Sequence, residues 1–175
     1  GTERTYDTRA NTQTATVILE DGTELTTAFT YDSRGNPLTE TDPLGNRTIY
    51  TYDSYGNVLT TTDPLGNTTT NRYDGRGNLL SMTAGAGSTT TFTYDGAGNL
   101  SSMTDAGGNL TTYIYDSAGN VTRQVDSLGN ATTFTYDANG NRLTEVWTMT
   151  TPEGPRDLVT RWTYDSNGRV LATTD

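Results

Sequence analysis

The chain has 175 residues, 31% of them hydrophobic and 18% charged, with a formal net charge of −10. It contains no Cys, His or Lys, which removes disulfides, His-based acid–base machinery, ordinary zinc or haem ligation and Schiff-base chemistry. The acidic balance argues against nucleic-acid backbones and anionic membrane surfaces, and a run such as Val17-Ile18-Leu19 is far too short to span a bilayer. Along the chain, a strand is expected near Thr2–Asp7. An irregular first repeat, residues 6–30, then carries the hairpin Val17-Ile18-Leu19-Glu20-Asp21-Gly22-Thr23-Glu24-Leu25, whose Asp-Gly pair signals a two-residue I′ turn. From Tyr31 a grid begins: Tyr-Asp pairs start at Tyr31, Tyr52, Tyr73, Tyr94, Tyr115 and Tyr136, 21 residues apart each time. Five regular repeats therefore fill residues 31–135. A long-hairpin repeat follows over 136–163, with Trp147 and Trp162 at near-opposed positions, and a partial repeat over 164–175 starts at Tyr164.

Each repeat contains two related halves. Gly-Asn follows the Tyr-Asp pair at a fixed distance, giving the turn residues Asp32/Gly35, Asp53/Gly56, Asp95/Gly98, Asp116/Gly119 and Asp137/Gly140. A second Asp-x-x-Gly-Asn occupies the middle at Asp42/Gly45, Asp63/Gly66, Asp105/Gly108 and Asp126/Gly129. The repeat of Tyr73 departs, with Ala84-Gly85-Ala86-Gly87-Ser88 in the middle slot. The physics of the motif is a turn. Asp bonds its carboxylate to backbone N–H groups two residues on, Pro43 and Pro64 supply a fixed φ at the second position, and Gly takes the left-handed conformation. The whole is a type I turn with a bulged glycine.

Between the turns, aromatics alternate on the strands: Phe29/Tyr31, Tyr50/Tyr52, Phe92/Tyr94, Tyr113/Tyr115, Phe134/Tyr136 and Trp162/Tyr164, with Asn71 before Tyr73 as the exception. Tyr and the 40 Thr are strand formers placed regularly, so the polar composition does not mean disorder. The expected fold is all-β. It is an antiparallel meander of about 16 short strands, curling into a spiral sheet, shell segment or tube, with the aromatic rows on a buried face. Parity adds a constraint. A 21-residue period is odd while side chains alternate with period 2, so identical closure of both hairpins would flip the aromatics from face to face. One connection per repeat must absorb an odd residue, most simply as a bulge.

The repeated Tyr-Asp-x-x-Gly-Asn-x-Leu-Thr with its second Asp-x-x-Gly-Asn resembles the RHS/YD repeat of Rhs polymorphic toxins, Tc toxin B and C components and teneurins, over nearly the whole chain from Tyr6 to Asp175. The resemblance implies a secreted or cell-surface protein, bacterial in origin, and a non-enzymatic wall segment that encloses, displays or spaces other domains. Its implied partners are further repeats or further copies through strand edges, and an enclosed cargo or toxin domain. No nucleic acid, membrane span, cofactor or metal is expected. The alternative is an adhesin or glycan-binding surface.

Other chemistry meets a plainer reading at each place. Asp42-Pro43-Leu44-Gly45 and Asp63-Pro64-Leu65-Gly66 are similar to the self-cleaving aspartyl motif of Rhs-type toxins, but each is followed by Asn and lies on the turn grid. The Asp ladder offers oxygen ligands for Ca²⁺, yet each Asp has a turn to close. No carboxylate pair is singled out for glycoside hydrolysis. Sequons at Asn46, Asn67, Asn99, Asn109, Asn120 and Asn130 follow from the repeat itself. Trp147 and Trp162 are read as cross-strand packing, or as a protruding contact hairpin. The terminal strands, near Thr2–Asp7 and Val170–Thr174, are expected to be open to pairing.

Overall fold

The computed structural model describes all residues, 1–175, and contains strands and turns without a helix. Two compact units divide the chain, Gly1–Thr89 and Thr90–Asp175. In the first, β1 (Thr2–Tyr6), β2 (Thr12–Ile18), β3 (Glu24–Tyr31), β4 (Pro37–Thr41), β5 (Arg47–Tyr52), β6 (Val58–Thr62), β7 (Thr68–Tyr73) and β8 (Leu79–Thr83) pair antiparallel in chain order. The second holds β9 (Thr89–Tyr94) from its second residue. It continues through β10 (Leu100–Thr104), β11 (Leu110–Tyr115), β12 (Val121–Val125), β13 (Ala131–Tyr136), β14 (Arg142–Thr151), β15 (Gly154–Tyr164) and β16 (Val170–Thr174), again each pairing with the next.

The parity problem is solved by a bulge in one hairpin of each repeat. In the Tyr-Asp hairpin of β5 and β6, Thr51 faces Thr60 but Tyr52 faces Val58, so Leu59 is extra. The same slip recurs before Tyr31, Tyr73, Tyr94, Tyr115, Tyr136 and Tyr164. The middle hairpin, such as β4 with β5, keeps straight register: Thr39 faces Ile49, Glu40 Thr48 and Thr41 Arg47. One extra residue per 21 restores an even count, so every Tyr returns to the same face.

The hairpin at Asp21-Gly22 differs from the I′ expectation. Leu19 N donates to the Thr23 carbonyl (2.9 Å) and Gly22 N to the Leu19 carbonyl (3.1 Å), so the loop is Glu20-Asp21-Gly22, three residues closed like the Asp-x-x-Gly-Asn turns. A I′ turn demands positive φ at two successive positions, and here only Gly22 (φ 83°) adopts it. A three-residue loop spares Asp21 that strain.

The aromatic face is covered less than expected. No hydrophobic side chain is buried, and Thr39, at 6% relative exposure, is the one buried residue. Phe29, Tyr31, Tyr50, Tyr52, Tyr73, Phe92, Tyr94, Tyr113, Tyr115, Phe134, Tyr136, Trp162 and Tyr164 are all half-buried. The physical reason is that each unit is a single layer of strands. Its rings cover one another along the sheet, and nothing packs on top of them. The intervening residues Thr30, Thr51, Thr93, Thr135 and Thr163 lie exposed on the opposite face. Several of these hydroxyls bond across to the next strand: Thr30 to Thr39 at 2.7 Å, Thr51 to Thr60 at 2.6 Å, and Thr135 to Thr144 at 2.7 Å.

One turn carries visible strain. In Asp7-Thr8-Arg9-Ala10-Asn11, Ala10 stands where other turns have Gly and takes φ 66°. Ala10→Gly removes a left-handed penalty of roughly 1–2 kcal/mol and adds unfolded-chain entropy worth about 0.4–1 kcal/mol. The variant should be more stable by about 0.5–1 kcal/mol, read as a raised urea midpoint at constant slope.

Candidate functional site

Within each unit the repeated polar residues build two columns of turns, one from the Tyr-Asp motifs and one from the middle motifs. In each Asp–Asn turn one carboxylate makes three bonds. Asp53 Oδ1 accepts from the Tyr55 N–H (2.8 Å) and the Asn57 N–H (3.0 Å), and Oδ2 accepts from the Asn57 amide (2.9 Å). Asp42, Asp63 and Asp105 do the same in the middle column. The backbone closes behind the carboxylate: Asp53 N donates to the Asn57 carbonyl and Gly56 N to the Asp53 carbonyl. Gly35, Gly45, Gly56, Gly66, Gly98, Gly108, Gly119, Gly129 and Gly140 all hold φ between 83° and 94°. In the last turn Arg169 replaces Asn, and its Nε donates to Asp165 Oδ2 at 2.8 Å.

These bonds act on acidity. The Asn amide beside each carboxylate holds Asp32, Asp42, Asp53, Asp63, Asp74, Asp95, Asp105, Asp116, Asp126 and Asp137 below the ordinary aspartate value of 3.8. Desolvation opposes this, and further N–H bonds to the carboxylate reinforce it. With both oxygens engaged in turn closure, the column offers no assembled catalytic carboxylate pair. No group of three or more acidic side chains is arranged around a cation position.

Tyrosine ties one repeat to the previous one. Tyr52 donates its hydroxyl to the Pro37 carbonyl (2.6 Å), Tyr73 to Val58 (3.0 Å), Tyr115 to Leu100 (2.8 Å) and Tyr136 to Val121 (2.8 Å). The acceptor is always the residue after Gly-Asn in the preceding repeat. Desolvation pushes the Tyr52 and Tyr115 phenols up, with Tyr50 and Asp32 adding to the first and Tyr113 and Asp95 to the second. Arginine adds a second tie: Arg9 donates to the Ser33 carbonyl (2.5 Å) and Arg34 to the Ser54 carbonyl. Sequence reasoning took the tyrosines as packing residues only. A hydroxyl at a fixed 15-residue separation from a repeated strand start was the available signal for the tie.

The tryptophans do not face each other. Trp147 pairs with Leu158, whereas Trp162 pairs with Thr173 on β16. The turn at Pro152-Glu153 sets Thr151 against Gly154, and the unbroken register running from it places Trp147 against Leu158, four residues short of Trp162. Arg142 lies over the Phe134 ring (4.8 Å to its centroid) and the Trp162 ring (5.7 Å), and pairs with Glu145 at 2.7 Å. Trp147 remains 39% and Leu158 57% exposed. Asn71, standing where the other regular repeats have a ring, donates to the Val58 carbonyl (3.0 Å) and leaves its Oδ1 buried without a partner.

Single layers of β-hairpins, closed by Asp–Asn turns and tied by tyrosine hydroxyls to the preceding repeat, define an all-β repeat protein. Residues 6–47, 31–68, 73–110 and 115–156 match the RHS Repeat family, and the chain belongs to that family. No curated protein matches the chain. Among solved structures, the Photorhabdus luminescens Tc holotoxin pore carrying the mutation TccC3-D651A is similar at TM-score 0.70 and 17% identity, covering 91% of this chain and 10% of that one. The TcdB2-TccC3-Cdc42 crystal structure is similar at TM-score 0.57 and 15% identity, covering 95% and 12%. The chain thus spans about a tenth of the length of the proteins whose fold it shares. No helix is long and apolar enough to cross a membrane.

Two outcomes follow from this geometry. Tyr136→Phe removes one tie and should cost about 0.5–1.5 kcal/mol, measured by urea unfolding. The depressed aspartates contribute stability that is fully present above their unfolded value and lost as pH falls through their folded values. Unfolded chains then bind more protons than folded ones, so stability rises with pH in this window. Melting temperature should be nearly flat from pH 7 to ~5 and fall steeply below pH ~4, with several protons taken up, as read from calorimetry across the series.

Proposed function

We propose that the chain is a non-enzymatic wall segment of a larger extracellular RHS-repeat assembly, one that encloses, displays or spaces other domains. One observation carries the reading: the polar groups repeated on the grid are engaged in closing turns and tying repeats together, so its chemistry serves cohesion. The likeness to about a tenth of much longer Tc toxin chains supports it. In this reading β1 and β16, each paired on one side, accept further repeats or further copies along their free edges, and the enclosed partner is a cargo or toxin domain. A second reading, a glycan-binding or adhesive surface, is favoured by the exposed Trp147–Leu158 pair on the long hairpin, a contact hairpin in which Trp162 lies further along the same strand face.

The edge is tested by sedimentation velocity over a range of concentrations. Gly1 and Ile18 exchange both backbone bonds (2.9 Å each), so by alternation the Arg4 N–H points away from β2. Arg4→Pro therefore blocks the outer edge while leaving the β1–β2 hairpin intact. Concentration-dependent association that Arg4→Pro abolishes is expected. A monomer at every concentration overturns edge pairing, and glycan-array binding lost in Trp147→Ala moves the assignment to the second reading.

A further inference from the structure

We infer that the turn Ala84-Gly85-Ala86-Gly87-Ser88 is a built-in proteolytic processing site, matched to an endopeptidase that accepts small side chains. Every other turn on the 21-residue grid begins with an Asp whose carboxylate bonds the loop, and this one begins with Ala. What remains is the backbone pair, Ala84 N to the Ser88 carbonyl (2.9 Å) and Gly87 N to the Ala84 carbonyl (2.7 Å), with one long bond from the Thr89 hydroxyl to the Gly87 carbonyl (3.4 Å). All five residues are exposed. Two glycines in the loop widen its backbone freedom once those two bonds open.

An endopeptidase cleaves extended chain, so the Ala84–Ser88 turn has to open locally before it is cut, and the opening free energy sets the rate. The missing clamp lowers that free energy, and a second weakness lies alongside. β8 pairs with β7 through Asn71 and Met82, and Asn71 is the residue that replaces a ring and holds an unpartnered Oδ1. The division into compact units, Thr89/Thr90, falls just past the turn. Hydrolysis after Ala84 or Ala86 adds one water across the peptide bond and leaves a new carboxyl and a new amino terminus. Each product then contains one unit nearly whole.

The chain supplies its own controls. Ala97, Ala106, Ala118 and Ala138 are exposed in equivalent turns that Asp95, Asp105, Asp116 and Asp137 clamp. The test is limited digestion of the folded chain with pancreatic elastase, which cuts after Ala, followed by intact mass and N-terminal sequencing. The first cut is expected after Ala84 or Ala86, before any at the four clamped alanines. The double variant Ala84→Asp/Ser88→Asn restores the clamp and should slow the cut after Ala86, which it leaves in place, at least about tenfold, the effect of regaining bonds to a charged acceptor. Gly85 is kept, because a Cβ there would lie 3.1 Å from Thr68 N. The reciprocal variant Asp95→Ala/Asn99→Ser should open a new cut after Ala97, and it keeps the test alive if the restored chain folds poorly. Equal rates at all five turns, or a restored turn cut as fast as the original, overturn the inference.

Discussion

A carboxylate that accepts three hydrogen bonds inside five residues is the interaction on which this structure depends. Each unit lacks a buried hydrophobic side chain, so strand order and spacing cannot come from packing against a second layer. They come from the hairpin ends. Asp fixes the direction of the loop by bonding two N–H groups, and Asn returns from four residues on to fill the other oxygen. Repeating that closure along both edges confines each strand to the few residues between turns. It also explains an acidic composition without a metal or a substrate: the charges are turn components, and their pKa values are lowered because the folded turn prefers the ionised form.

The second constraint is geometric. Two identical turns per odd-length repeat would send successive tyrosines to opposite faces, and the bulge before each Tyr-Asp pair prevents it. The consequence reaches beyond register. With all tyrosines on one face, each hydroxyl can point back along the sheet to the same carbonyl of the repeat before it. Bulge, face and tie are therefore one device. Losing the bulge residue would move the ring to the threonine face, where no such carbonyl is in reach.

Much of this was legible in the sequence, because the elements that decide it are local. The Asp-x-x-Gly-Asn spacing specifies its own turn, the 21-residue grid fixes strand count, and the parity of 21 requires a bulge without any three-dimensional information. Less local features escaped. The Asp21-Gly22 pair looks like a I′ turn, but the conformational cost at Asp21 favours a longer loop, and a dipeptide signal does not weigh that cost. The opposition of Trp147 and Trp162 failed because the turn at Pro152-Glu153 centres the hairpin so that Trp147 meets Leu158, and aromatic spacing alone does not locate that centre. The tyrosine and arginine ties join residues of different repeats, so they depend on how turns stack. Composition pointed to an aromatic face but not to its half-burial, since coverage depends on a second layer that strand periodicity alone does not report.

Because each hairpin touches only the next, irregularity stays where it arises. The regular tie spans 15 residues, from Tyr52 to Pro37 and from Tyr136 to Val121. The tie to Tyr164 spans 22, from Arg142, and the Tyr136–Tyr164 interval is 28 residues against a period of 21; both differences are seven. The tie to Tyr31 spans 19, from Thr12, and the Tyr6–Tyr31 interval is 25; both differences are four. All the additional length thus lies between the carbonyl that accepts a tie and the tyrosine that donates it, within the middle hairpin. Strands β14 and β15 grow to 10 and 11 residues there while the Tyr-Asp column continues in step. Within each unit the tyrosines and Tyr-Asp turns form the constant spine. The middle turns are the edge where length, clamping and side chains are free to vary, from the protruding Trp147–Leu158 pair to the unclamped Ala84–Ser88 loop.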